Sequence, residues 1–164
     1  MIEKYKLEIS PSQLSIKPYF AYLTKIKWFA VLAIAICCTI PFIKDKVNYN
    51  VWTMGYAVAG ILAFYVVYDF LFNANVKFLF DKDTRSIYKI NLFFKRRLMS
   101  FEEMTILTTS EYGTFEYAIG RKKKQFLKNY SISDTFTDSK KSKQREEQYV
   151  AEILNPILEF VEQK

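Results

Sequence analysis

Hydrophobic and polar positions divide this chain into stretches with different periods. Residues 28–43 and 51–68 are apolar runs of 16 and 18 residues without a charge. Lys44, Asp45, Lys46, Val47, Asn48, Tyr49 and Asn50 separate them. Lipid offers no water to a peptide group, so runs of this length predict two membrane-crossing helices. The seven-residue connection makes them antiparallel and returns both chain ends to one side. Pro41 is expected to bend or end the first helix. Asp69, at the exit of the second, reads as a helix-ending acid.

Before the hairpin, residues 5–10 alternate apolar and polar with period two, which predicts a short half-buried strand. Leu14, Ile16, Tyr19, Phe20, Tyr22, Leu23 and Ile26 then follow at spacings nearer a helix, with Pro18 interrupting or starting it. Interleaved Lys17, Lys25 and Lys27 make this segment an expected interfacial amphipathic helix leading into the first span. The alternative is a helix packed on the soluble domain. The first apolar run follows a polar, structured segment, so it reads as a retained span rather than a cleaved signal.

After the hairpin the period shortens. Strands are predicted at 76–80, 86–90, 93–101, 104–110, 114–120 and 125–132, with polar turns between them. Residues 133–143 read as an exposed loop. Tyr149, Val150, Ile153, Leu154, Ile157, Leu158 and Val161 then recur at helical spacing, a terminal amphipathic helix in which Pro156 makes a kink or starts a second segment capped by Asn155. The expected organisation is 1–27 strand and interfacial helix, 28–72 hairpin and 73–164 soluble domain.

Composition agrees with this segregation. Apolar residues make up 51% of the 164, yet mean hydropathy is only -0.04, because the remainder is strongly charged. The formal net charge of +7 suits a neighbour of anionic lipid or nucleic acid. Residues 75–164 carry 17 basic and 13 acidic side chains, so that part is mildly basic and no nucleic-acid partner is expected. With lysines and arginines concentrated on the side of the chain ends, the positive-inside rule places both termini in the cytoplasm.

Several chemistries lack their residues. There is no His, and the two Cys, Cys37 and Cys38, are adjacent inside an apolar helix, so neither a metal cage nor a disulfide is expected. Glu102 with Glu103, and Glu146 with Glu147, are sequence neighbours that point apart on a strand or helix. No phosphate-binding loop or nucleophile motif appears. The expectation is a non-enzymatic protein without a cofactor.

Two constellations remain. Lys95, Arg96 and Arg97 on the third strand, and Arg121, Lys122, Lys123 and Lys124 in a turn, are expected to share one rim that contacts anionic headgroups or a protein partner. The plainer alternative is a solvated hairpin tip that only helps set orientation. In the second span, Gly55 with Ala59 and Gly60 with Ala63 provide small-residue surfaces for close helix packing, within the hairpin or between two copies as a homodimer.

The order of the later elements, a run of antiparallel strands closed by one C-terminal amphipathic helix, resembles a pleckstrin-homology-like (PH-like) split β-barrel of six or seven strands. The whole layout, carried by residues 5–10, 19–27, the hairpin and the pattern from Val76 to Val161, is similar to the YcxB-like family of small bacterial membrane proteins. That resemblance implies a bacterial inner-membrane, multi-pass protein with a cytoplasmic PH-like domain, and a strand at 5–10 able to pair with the barrel edge. The expected role is a binding or adaptor protein. The alternative is an immunity protein that neutralises a secreted antibacterial toxin acting at the membrane.

Overall fold

The computed structural model describes residues 1–123 and 128–163. The chain forms two compact units, Met1–Phe20 with Val76–Lys164, and Ala21–Asn75.

The second unit is a helical hairpin. Helix α2 spans Tyr22–Ile43 and α3 spans Tyr49–Asp69, followed by a wide π-type turn at Phe70–Ala74. At 1.5 Å per residue each helix is about 30 Å long. Both are long and apolar enough to cross a membrane. The first begins earlier than its uncharged run, at Tyr22. Phe29 meets Tyr65 edge to face at 5.6 Å, and Gly55 lies against Ile40. A Cβ on Gly55 would sit 2.8 Å from Ile40 Cδ1, so the absent side chain is what permits this approach. The hydroxyls of Thr39 and Thr53 donate to the carbonyls of Ala35 and Tyr49 one turn back, leaving no polar side-chain group of theirs unsatisfied.

The other unit is α+β. A four-residue helix α1, Ile2–Tyr5, precedes β1 (Glu8–Ile9) and β2 (Gln13–Ile16). After the hairpin come β3 (Lys77–Asp81), β4 (Ser86–Ile90), β5 (Lys95–Ser100), β6 (Met104–Glu111), β7 (Thr114–Arg121) and β8 (Tyr130–Ser131). Pairing is antiparallel throughout, in a five-stranded sheet ordered β1-β2-β3-β4-β5 and a three-stranded sheet ordered β6-β7-β8. Among the described residues no ladder joins the two sheets, so the expected barrel is not closed.

The N-terminal segment departs from expectation. Leu14, Ser15 and Ile16, read as part of an amphipathic helix, form a strand buried on both sides, with Leu14 opposite Phe80 and Ile16 opposite Phe78. Three buried residues are too few to display a period, and their tertiary partner decides. Residues 5–10 contribute only Glu8 and Ile9 to the sheet, at its edge, while Tyr5 ends α1 and enters the core.

Helix α4 (Lys140–Tyr149), a π-type turn at Val150–Leu154 and α5 (Asn155–Glu162) close the chain. Pro156 has no amide and crowds the carbonyl four residues back, and the widened turn just before it accommodates both. Asn155 is therefore not a cap; the helix runs through it. Tyr149, Ile153, Leu154, Ile157 and Phe160 bury against Leu14, Ile16, Phe78, Phe80, Ile119 and Ile132. The segment 133–143 is not simply an exposed loop. Phe136 is core and pairs with Phe115 through two backbone hydrogen bonds, and buried Ser133 accepts from the amide of Tyr117.

Candidate functional basic cleft

Strand β5 carries an extra residue relative to β4. Ile87 pairs with Met99 and Tyr88 with Arg97, so Leu98 is a bulge with no partner in the ladder. Its freed carbonyl accepts hydrogen bonds from Arg121 Nε, at 3.1 Å, and from Arg121 Nη2. A bulge thus ties the end of β7 to the middle of β5. The same guanidinium lies 3.7 Å from Glu103 Oε2, and the Lys122 amide donates to the Glu103 carbonyl at 2.8 Å.

This junction brings Arg96 and Arg97 of one predicted basic cluster together with Arg121 of the other. Arg96, Arg97, Leu98, Met99, Arg121, Lys128 and Tyr130 line one cleft of about 190 Å³. Lys89 stands beside it, opposite Arg96 on β4, with its Nζ 5.9 Å from the centre of the Tyr130 ring. Lys128 Nζ lies at the same distance from that ring. Partial burial, and then the charge of Lys128, hold the Lys89 ammonium below its ordinary lysine value. Among the described residues neither Arg96 nor Arg97 has a carboxylate partner. The arrangement is a concave surface whose positive charge is compensated mainly at Arg121.

The remaining candidates fall elsewhere. Lys95 lies over the Tyr88 ring at 4.4 Å and does not line the cleft. Lys122 and Lys123 are exposed in the turn that leaves β7, and Lys124 lies outside the described residues, as does the first part of the expected strand at 125–132. Lys128, Lys89 and Tyr130 belong to the cleft without having been singled out. Their signal was faint: isolated lysines around one aromatic residue, brought together only by the β7–β8 pairing of Ile119 with Tyr130. In the hairpin, Gly55 and Ala59 face inward, whereas Gly60 and Ala63 are exposed and a Cβ on Gly60 would meet nothing within 4 Å. Among the described residues no three His, Cys, Asp or Glu side chains gather into a metal-binding group.

Comparison with protein-family models, curated proteins and solved structures returns no match.

Away from the cleft, the buried Tyr5 and Tyr149 and the half-buried Tyr117 form a polar core layer. Tyr149 donates to the Ile132 carbonyl, Tyr5 accepts from the Asp134 amide, and Tyr117 donates to Glu146 at 2.8 Å. Burial raises all three phenols above the ordinary value, Tyr117 to about 12. Their interlocked rings are a packing unit: Tyr117 stacks on Tyr149 at 5.7 Å, and Tyr149 tilts against Tyr5 at 5.0 Å.

Proposed function

We propose that the chain is a membrane-anchored, non-enzymatic binding protein whose cytoplasmic α+β domain holds an anionic group in the cleft between β5 and β7. Support for the anchor is the outward display of large apolar side chains along both helices, with Phe42, Phe64 and Trp28 each more than two-thirds exposed. In water that surface would drive association; in lipid it is at rest. The lysine and arginine distribution supports both termini on the inner side of that membrane, and the YcxB-like resemblance supports a bacterial inner membrane. A PH-like reading of the domain draws on four strands β2 to β5, three strands β6 to β8 and a C-terminal helix packed in their core.

The observation that carries the ligand class is the convergence of Arg96, Arg97, Arg121 and Lys128 on one concavity. Arginine offers a planar donor fork that matches phosphate and carboxylate, and each cation near an anionic surface contributes roughly 1 kcal/mol. Titration of the full chain in phosphatidylcholine nanodiscs with inositol trisphosphate tests this. Arg97→Ser should weaken binding about fivefold, and Arg96→Glu with Arg97→Glu should abolish it. Lys140→Glu, at the exposed start of α4, serves as the control. Equal binding by all variants would remove the cleft from consideration.

A further inference from the structure

The hairpin between β4 and β5 places three consecutive large apolar side chains in solvent. Its tip, Asn91 to Phe94, exposes Leu92 by 53%, Phe93 by 60% and Phe94 by 70%. A loose loop could fold such residues away, but this tip is held open by hydrogen bonds. The Asn91 amide donates to the Phe94 carbonyl at 3.0 Å, and Asn91 Oδ1 accepts from the amides of Phe93, at 3.1 Å, and Phe94, at 2.8 Å. The side-chain amide thus closes the turn from inside and leaves the three apolar groups pointing out. The pattern 93–101 reads in sequence as one strand; the structure begins β5 only at Lys95 and frees both phenylalanines for the tip.

Immediately behind the tip the charge changes. Lys95, Arg96 and Arg97 follow on β5, all exposed, with Lys89 opposite Arg96 on β4. An apolar point backed by a collar of cations is complementary to one surface in particular. A leaflet bearing anionic lipid presents hydrocarbon beneath a negatively charged headgroup layer, in that order of depth.

We propose that the Leu92-Phe93-Phe94 tip is a second membrane contact, inserting its side chains into the interfacial layer of an anionic leaflet while Lys95, Arg96 and Arg97 engage the headgroups. The inference rests on the reading of α2 and α3 as a membrane anchor, which keeps the domain within reach of a bilayer. Insertion of the tip orients the basic cleft toward the headgroup region, since Arg96 and Arg97 belong to both.

The test uses the full chain in nanodiscs. Cys37→Ala and Cys38→Ala remove the native thiols, and Phe93→Cys or Tyr112→Cys then provides one site for an environment-sensitive fluorophore. Tyr112 tips the β6–β7 hairpin, is fully exposed and has no cationic collar, so it reports a tip that stays in water. In nanodiscs of phosphatidylcholine mixed with phosphatidylserine, position 93 should emit at shorter wavelength than position 112. It should also be several-fold less quenched by aqueous acrylamide and be quenched by doxyl-labelled acyl chains. Adding Lys95→Glu and Arg96→Glu should return position 93 to the behaviour of position 112. Equal acrylamide quenching at the two positions overturns the proposal. So does shielding at position 93 without quenching from the acyl chains, which would mean that protein covers the tip. Equal insertion into pure phosphatidylcholine would overturn the anionic requirement. Failure of the chain to co-purify with nanodiscs at all would instead refute the anchor reading, and is scored separately by lipid-to-protein ratio.

Discussion

The hairpin and the sheet domain use the same large apolar residues in opposite ways. In α2 and α3 most aromatic and branched side chains point outward, Phe42 at 83% and Phe64 at 73% exposure, and the inward seam sets small residues such as Ala33, Gly55 and Ala59 beside Ile26 and Ile40. In the domain, Phe78, Phe80, Phe136 and Tyr149 are all fully buried and most outward positions are charged or polar. The difference is the one expected if the hairpin is a membrane anchor, because burial follows the surrounding solvent as well as the residue type. In water a fold is held by removing large apolar groups from solvent. In lipid that gain vanishes, so close backbone approach takes its place. The Leu92 to Phe94 tip follows the hairpin's rule, with three consecutive large apolar side chains exposed, which is the ground for proposing it as a lipid contact.

The largest expected effect breaks the comparison directly. Phe80→Ala should destabilise the domain by about 3–5 kcal/mol through lost burial and the cavity left behind, measured by urea unfolding of the micelle-bound chain. Phe64→Ala should move the same midpoint by less than about 0.5 kcal/mol. A comparable loss at both positions would show that α3 is packed like a soluble core helix.

Next in size is the hairpin seam. Gly55→Leu forces a branched side chain against Ile40 and should weaken α2–α3 packing by about 1–3 kcal/mol, read as lost resistance to unfolding in sodium dodecyl sulfate. Gly60→Leu, facing open space, should leave that resistance unchanged. If Gly60→Leu instead abolishes a dimer seen by crosslinking, the outward small residues serve a second copy.

Alkaline pH probes the domain's polar core. The folded state favours the protonated Tyr117 phenol, so its contribution is intact below the ordinary value of 10 and is lost as pH rises through about 12. Tyr5 and Tyr149 shift in the same direction. Unfolding free energy should therefore fall above about pH 10, and Tyr117→Phe should make that fall shallower. It should also cost about 1 kcal/mol at neutral pH through the lost bond to Glu146. An unchanged slope would place the phenol in water.

The smallest effect sharpens the contrast between the two hairpin tips. Tyr112 adopts a left-handed φ of 48° ahead of Gly113 at 76°, a turn that favours Asn-Gly. Tyr112→Asn should stabilise the domain by about 0.5–1 kcal/mol in the same urea assay. Asn91→Ala at the other tip should destabilise by a similar amount, because two amides lose their acceptor.

Much of this protein was legible from its sequence, for physical reasons that differ along the chain. The two helices long enough to cross a membrane followed from uncharged apolar length, which needs no tertiary information. Strands β3, β4, β6 and β7 followed from short β-rich runs bounded by polar turns, and the C-terminal helix from its apolar stripe. The basic residues of β5 and the β7 turn stood out as charge runs. Only the tertiary structure decided the rest. Leu14 to Ile16 became a strand because Phe78 and Phe80 offered an unpaired edge across the intervening hairpin, a partner more than sixty residues away. Phe136 entered the core from a polar stretch because it bridges Phe115. The extra residue at Leu98 joined Arg96 and Arg97 to Arg121, from two separate runs of cations, in one cleft by giving Arg121 a carbonyl to hold. The turn closed by Asn91, with Ile90 paired to Lys95, left Phe93 and Phe94 outside the strand that their hydrophobicity predicts. Local periodicity records which face of an element is apolar; pairing register and bulges, set by distant partners, decide which groups meet.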